Sequence, residues 1–198
     1  MTNFLEATAT GDFLPYMNWG SDAVQWSRKG DDGKEVFQPT QAIFDIENLM
    51  VGWIAIQIGS VDKVLVSYKD TPPAQPAGTK KDQQGKDVAL YSKGFSVNVL
   101  FGKEFGEVRL YEFSTSQKGS LQAVNGLLQQ FEAEKAANVG KVPVVTFSTH
   151  TNVKMGKGSS NVPGLKITAW TDRPAELDEV LVSSESAPQA VQATASEF

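Results

Sequence analysis

The stretch from Lys141 to Pro174, KVPVVTFSTHTNVKMGKGSSNVPGLKITAWTDRP, decides the expected fold. Two runs with strand character flank a loop from Gly156 to Gly164 that is rich in Gly, Ser, Asn and Lys, so the stretch predicts a two-stranded hairpin. In the second run, apolar residues alternate with Lys166, Thr168 and Trp170. Because successive side chains of a strand point to opposite faces, we expect Lys166 and Trp170 to share a solvent-facing surface that suits a flat ligand.

The residues just before this hairpin predict a helix. In SLQAVNGLLQQFEAEKAAN, which begins at Ser120, apolar side chains recur at the spacing of one helical face. Ser120 is the expected N-cap, and Asn138 or Gly140 is the expected stop. The sequence therefore predicts one helix directly before the last two strands.

The N-terminal half predicts strands and one further hairpin. AVQWSRKGDDGKEVFQPT, residues 23–40, predicts a hairpin that turns at Gly30-Asp31-Asp32-Gly33. AIFDIENLMVGWIAIQIG, residues 42–59, predicts one long strand bent near Gly52. KVLVSYKD, residues 63–70, predicts another short strand.

Two more strands follow a long irregular segment. TPPAQPAGTKKDQQGKD, residues 71–87, has no apolar periodicity and predicts a long mobile loop. GFSVNVLFG, residues 94–102, alternates Phe and Val with polar residues. VRLYEFST, residues 108–115, places Arg109, Tyr111 and Phe113 on one face.

The order of these elements is that of an OB-fold barrel, which has one helix before its closing strands. We therefore predict a mainly β domain with one helix over residues 1–174. It is expected to be an OB-fold-like closed or partly open barrel with an extra N-terminal hairpin and a long loop. A β-sandwich with one helix is the competing architecture. Residues 175–198 are rich in Ala, Ser, Gln and Glu and predict a flexible acidic tail.

The charge distribution limits the ligands that the body of the protein can attract. The net charge is −5, yet residues 1–171 carry 17 basic and 17 acidic side chains, so the excess lies from Asp172 onward. An anion site must therefore be a local patch. No long apolar run or secretory leader is present, which predicts a cytoplasmic protein that does not contact membranes.

The residues needed for most enzyme chemistry are missing from the sequence. There is no cysteine and only one histidine, His150, without the spacing of a metal motif or a nucleophile elbow. MGKGSS, which starts at Met155, lacks the spacing of a phosphate loop. We predict no enzyme, no catalytic residue, no metal and no cofactor.

Cations and aromatic rings remain as candidate binding groups. Single-stranded nucleic acid is held by rings on which bases stack and by cations that follow the phosphates. We assign these roles to the strand residues Lys166, Trp170, Arg109, Tyr111 and Phe113 and to the loop residues Lys154, Lys157, Lys80, Lys81 and Lys86. Whether these rings are exposed or belong to the core is left open by the pattern.

The layout of residues 40–174 and the terminal Glu197-Phe198 resemble phage-type single-stranded-DNA-binding proteins. Members of that family have an OB-fold with a helix before the closing hairpin and end in a flexible acidic segment. The resemblance implies a sequence-nonspecific single-stranded-DNA-binding protein of DNA replication or recombination. It further implies that Glu197 and Phe198 contact replication or recombination proteins.

Several alternatives stay open at this point. The chain is otherwise a non-enzymatic structural or protein-interaction module, such as a virion component, in which exposed aromatic residues form a protein interface. A homo-oligomer is compatible with either function. The preference between DNA and RNA and the number of nucleotides bound are not defined by the pattern.

Overall fold

The fold is mainly β with one long helix, as the sequence predicts. The computed structural model describes residues 14–30, 33–57, 60–82, 84–156 and 158–179. The elements are β1 (Tyr16–Gly20), β2 (Gln25–Gly30), β3 (Gly33–Phe37), β4 (Gln41–Phe44), β5 (Met50–Gln57), β6 (Ser60–Ser67), β7 (Thr79–Lys81), β8 (Asp87–Ala89), β9 (Ser92–Leu100), β10 (Leu110–Thr115), α1 (Lys118–Glu134), β11 (Lys141–Met155) and β12 (Gly158–Asp172). Short 3-10 turns lie at Ile46–Asn48, Lys103–Phe105 and Lys135–Ala137.

The described chain divides after Arg173. Residues 14–173 lie in one compact unit, which contains every strand and α1. Residues 174–179 belong to a second unit, in which residues 175–179 are helical. The predicted tail residues Glu197 and Phe198 lie outside the described residues.

One sheet of ten strands organises the larger unit. Its order is β12-β11-β4-β9-β10-β1-β2-β3, and β5 joins it by pairing with both β9 and β6. Only the β1–β10 pair is parallel among the described pairs of this sheet. Within the described residues the terminal strands β3 and β12 do not pair, so the sheet is not closed into a barrel. Of the predicted closed or partly open barrel, the closed form is therefore wrong.

The sheet nevertheless curves around a single core. Trp26 on β2 and Phe147 on β11 lie near opposite ends of the pairing order, yet their rings meet edge to face with centroids 5.1 Å apart. The Trp19 indole N–H donates to the Asn161 carbonyl at 2.9 Å, and the Asn161 side chain donates to the Ser21 carbonyl at 2.7 Å. Side-chain bonds, instead of a strand ladder, thus join β12 to the β1–β2 turn.

Helix α1 covers the core with the apolar face that its periodicity predicts. Its side chains Val124, Leu127 and Phe131 are buried. The predicted N-cap, Ser120, is wrong, because the Leu121 N–H already bonds to the Gln117 carbonyl at 3.0 Å and Gln117 is the cap residue. Ser120 is instead a fully buried residue of the first turn.

The segment predicted as one long bent strand, residues 42–59, contains two strands. The 3-10 turn Ile46–Asn48 separates β4 from β5. Buried Asp45 holds this turn, since its carboxylate accepts two bonds of 2.8 Å from Arg173 and further bonds from the Asn48 amide. Gly52, at φ +154°, lies where β6 passes close, because a Cβ there would be 2.2 Å from the Val64 carbonyl oxygen.

Two predicted loops contain strands. The segment at residues 71–87 contains β7 and the start of β8. The Trp53 indole N–H donates a hydrogen bond to the Pro73 carbonyl at 2.8 Å, which links the start of this segment to β5. In the final hairpin the pairing continues to Met155 and Gly158, so most of the predicted loop from Gly156 to Gly164 belongs to β12. The loop prediction for Gly156 to Gly164 is therefore wrong, whereas the final hairpin is confirmed and residues 71–78 are irregular as predicted.

Candidate functional site

Two of the predicted binding aromatics lie in the core. Tyr111 is 3% exposed and Phe113 is fully buried. Phe113 contacts Trp26 with ring centroids 5.2 Å apart, and Tyr111 contacts Phe101 at 5.8 Å. Neither ring presents a free surface, so their prediction as stacking platforms is wrong.

Trp170 does not face solvent either. The residue is half-buried, its ring lies 5.6 Å from that of Phe131, and its indole N–H donates to Glu134 at 3.1 Å. The hydrogen bond from Gln130 and then that from Trp170 lower the pKa of the Glu134 carboxyl, with a smaller contribution from the charge of Lys166. A carboxylate at this position disfavours a phosphate.

A bulge in β12 explains the position of Trp170. Val144 pairs with Ala169 and Val145 with Ile167, which leaves Thr168 as an extra residue that breaks the simple alternation. The Gln130 side chain binds this irregular segment, since it accepts from the Ile167 N–H at 3.0 Å and donates to the Ile167 carbonyl at 2.9 Å. The bulge turns Trp170 towards α1, while Lys166 stays exposed.

The predicted cations are dispersed. Arg109 precedes β10, and its guanidinium lies 3.4 Å from the Phe101 carbonyl oxygen. Lys81 forms an ion pair of 2.9 Å with Asp87 in the β7–β8 hairpin, a separate two-stranded sheet. Exposed positions in the described chain are held by Lys80, Lys86, Lys154 and Lys166. Lys157 lies outside the described residues.

A different surface has the properties of a binding site. On β1 and β10 the residues next to the core side chains point away from the core, and the same alternation continues on the neighbouring strands. We call this outward side the open face. Its residues are Tyr16, Asn18, Ser27, Lys29, Lys34, Val36, Ile54, Ile56, Val61, Lys63, Ser96, Glu112 and Ser114.

Two unpaired lysines lie beside an exposed aromatic ring on the open face. Lys29 on β2 and Lys34 on β3 are direct cross-strand partners, and within the described residues neither amine has a carboxylate partner. Arg28 pairs with Met17, so the following residue, Lys29, lies at the level of Tyr16, which is 50% exposed. Tyr16, Lys29 and Lys34 therefore form a row across three adjacent strands, spaced about 4.8 Å apart.

The neighbouring cation Arg28 is already engaged on the core side. Its guanidinium lies 4.5 Å from the centroid of the Phe105 ring and bonds to Glu35 at 3.0 Å. The hydrogen bond to Glu35 raises the pKa of Arg28 above its ordinary value. Like charges directly opposite each other in a sheet repel. The Lys29–Lys34 pair therefore suits an anion, because, unlike Arg28, it has no carboxylate partner in the described part of the chain.

On its other side Tyr16 borders a cavity of about 380 Å³. Ile54, Ile56 and Val61 form its apolar wall, and Gly94 makes room for Ile54, since a Cβ there would lie 2.5 Å from the Ile54 Cδ1. The cavity also reaches polar groups of β10 and β6. We call it the open-face cavity.

The polar groups of the open-face cavity differ in how well they are satisfied. The Lys63 amine and the Ser96 hydroxyl both donate to Glu112 Oε1, so this carboxylate is neutralised. The Ser114 hydroxyl is buried and has no hydrogen-bond partner among the described residues. Ser114 lines the cavity, but its hydroxyl oxygen has almost no accessible surface and therefore does not face a ligand there.

The open face was missed by the sequence prediction, although signals for it existed. Alternation in YMNWG, residues 16–20, separates Tyr16 from the buried Met17 and Trp19. Lys29 and Lys34 belong to a hairpin whose many acidic neighbours favour a solvated turn, and the acidic residues of its tip, Asp31 and Asp32, lie outside the described residues.

Comparisons of this chain with protein-family models, with curated proteins and with solved structures find no match. In the described ranges no three His, Cys, Asp or Glu side chains are grouped so that they would hold a metal ion. None of the described helices has the length and apolar character needed to cross a membrane. The geometry of the open face therefore carries the functional argument.

Proposed function

We propose that this protein binds single-stranded DNA without sequence specificity and acts in DNA replication or recombination. In this proposal it is a cytoplasmic, non-enzymatic protein with a partly open OB-fold-like barrel, and it needs no cofactor. The row formed by Tyr16, Lys29 and Lys34 carries the proposal, because it combines an exposed ring with two cations that have no carboxylate partner among the described residues.

The chemistry of this row suits a single strand. A base stacked on an aromatic side chain contributes about 1–3 kcal/mol and needs no particular sequence. A phosphate placed between Lys29 and Lys34 removes their mutual repulsion, so the same contact stabilises both ligand and sheet. Double-stranded DNA hides its base faces in the stack, and it would use only the cations.

Binding should depend on salt through a few local phosphate contacts, because residues 1–171 carry no net charge. Each phosphate neutralised on a single strand contributes about 0.7 to the slope of log affinity against log salt. Contacts from Lys29 and Lys34 alone thus give a slope of about −1.4. We expect micromolar or tighter binding to oligo-dT at low salt, and affinity about sevenfold lower after a fourfold rise in salt.

Fluorescence anisotropy with a labelled oligo-dT tests this proposal. The double variant Lys29→Gln/Lys34→Gln is expected to bind more weakly and to lose most of the salt dependence. The matched control Lys118→Gln/Lys141→Gln removes two exposed lysines from α1 and β11 and should behave as the unmodified protein. Failure of the unmodified protein to bind a long oligonucleotide at low salt would refute the proposal.

A second function is favoured by a specific observation. Val36, Ile56 and Val61 on the open face are 54%, 50% and 57% exposed. Exposed apolar groups on one face suit a protein partner, as in a structural or interaction module such as a virion component. Size-exclusion chromatography with and without oligo-dT separates the two, because salt-insensitive self-assembly that ignores DNA supports the protein interface.

Two further parts of the proposal concern other proteins. Glu197 and Phe198 are proposed to contact replication or recombination proteins, by resemblance alone. A homo-oligomer on DNA is compatible with the proposal, and the same chromatography reports it.

A further inference from the structure

We infer that the open-face cavity is a pocket for one unpaired base of the bound strand. This inference rests on the proposed function and adds a defined subsite to it. Tyr16 belongs both to the row of cations and to the wall of the cavity, so a strand that follows the row passes the mouth of the cavity.

The size and the walls of the cavity suit a flat, mainly apolar group. Its volume of about 380 Å³ lies in the range of small-ligand pockets, about 300–1,000 Å³. Ile54, Ile56 and Val61 line one side and the Tyr16 ring another. A nucleobase has two apolar faces that fill such a space, and its aromatic ring stacks favourably on tyrosine.

The cations next to the cavity favour a base over an aliphatic side chain of a protein partner. Lys29 and Lys34 lie in one row with Tyr16, and they have no carboxylate partner within the described residues. A nucleotide brings a phosphate to these cations together with its base, whereas an aliphatic side chain brings no charge. The Glu112 carboxylate is already bound by Lys63 and Ser96, so it does not compete for the lysines.

The charges around the cavity place the phosphates on one side of it. Lys29 and Lys34 lie on β2 and β3, directly beyond the Tyr16 strand β1. Pairing with Lys63 neutralises Glu112, which keeps negative charge away from the cavity mouth. A base in the cavity would cover its apolar wall, and the neighbouring phosphates would compensate the charges of the two lysines.

The experiment compares oligonucleotides of equal length and charge. One is a chain of abasic sugar–phosphates, and the other carries a single thymine in the middle of the same chain. Because one stacked base contributes about 1–3 kcal/mol, the thymine is expected to strengthen binding about 5- to 150-fold at low salt. Both probes make the same phosphate contacts, so the ratio of their affinities measures the contribution of the base alone.

Variants locate this effect on the cavity. Tyr16→Ala and Ile56→Ala are expected to reduce the ratio towards one, because both side chains line the cavity. Val139→Ala, at a site 84% exposed and outside the open face, is the matched control and should keep the full ratio. Tyr16 and Ile56 are both 50% exposed, so both variants are expected to fold.

The outcomes separate this inference from the proposed function. Equal affinity of the unmodified protein for both probes overturns the base pocket and leaves the proposed function intact. A ratio that persists in Tyr16→Ala and Ile56→Ala places the base elsewhere and also overturns the pocket. No binding to either probe or to oligo-dT refutes the proposed function, and with it the pocket.

Discussion

The two faces of the ten-stranded sheet use their aromatic residues in opposite ways. On the inner face the rings pack on one another, as Trp26 does against Phe113 and Phe147. On the open face Tyr16 stays half exposed beside a cavity and two lysines that have no carboxylate partner in the described part of the chain. The difference teaches that alternation along a strand predicts which residues share a face. Whether the rings on that face can contact a ligand depends on the elements that pack against it.

The largest expected effect comes from removing a ring of the inner face. Phe113→Ala should lower the free energy of unfolding by about 3–5 kcal/mol, because Phe113 is fully buried between Trp26 and Phe95. Tyr16→Ala should change it by no more than about 0.5 kcal/mol. Chemical denaturation of both variants measures the contrast, and similar losses for the two would contradict the assignment of the faces.

Trp170→Ala should give an intermediate effect and reverse the expectation drawn from the sequence. Its ring contacts Phe131 and its indole N–H bonds to Glu134, so we expect a loss of about 1–3 kcal/mol of stability. Affinity for oligo-dT, measured at a temperature where the variant is folded, should stay within about twofold. Strongly weakened binding with normal stability would show that Trp170 contacts the oligonucleotide.

Features with a fixed local period could be predicted from the sequence. Phe95, Val97 and Val99 of β9 alternate and are all buried, and the apolar face of α1 is buried as its spacing indicates. The first hairpin pairs Trp26 with Phe37, as expected from its glycine-rich turn. In each case neighbours along the chain determine the outcome.

Features that depend on distant residues could not be predicted. The bulge in β12 is bound by Gln130, 37 residues before Ile167. The turn after β4 is held by Asp45 and Arg173, 128 residues apart in the chain. The burial of the rings on the inner face likewise depends on the curvature of the sheet, which brings β2 against β11. Only the folded chain defines these contacts, so the alternation alone could not show that Tyr111 and Phe113 belong to the core.

A smaller effect is expected from the cation pair, with opposite signs for stability and binding. Lys34→Gln removes the repulsion with Lys29, so the free energy of unfolding should rise by about 0.2–1 kcal/mol. The same change should weaken oligo-dT binding and reduce the salt slope by about 0.7. Lys141→Gln serves as the control for both measurements. A variant that loses stability along with affinity would show that this lysine supports the fold instead of the ligand.

The smallest effect concerns acid and should be seen at Glu134, beside Trp170. Hydrogen bonds from Gln130 and Trp170 lower the pKa of Glu134 in the folded state, so they stabilise the fold above the ordinary carboxyl pKa of about 4.3. This stabilisation is lost as the pH falls through the lowered value. The Trp170 indole N–H resonance, followed by NMR from pH 6 to pH 3, should therefore shift with a midpoint below about 4.3. Glu134→Gln keeps an acceptor but cannot titrate, so it should abolish the transition, and a transition that survives in this variant would assign the proton to another group.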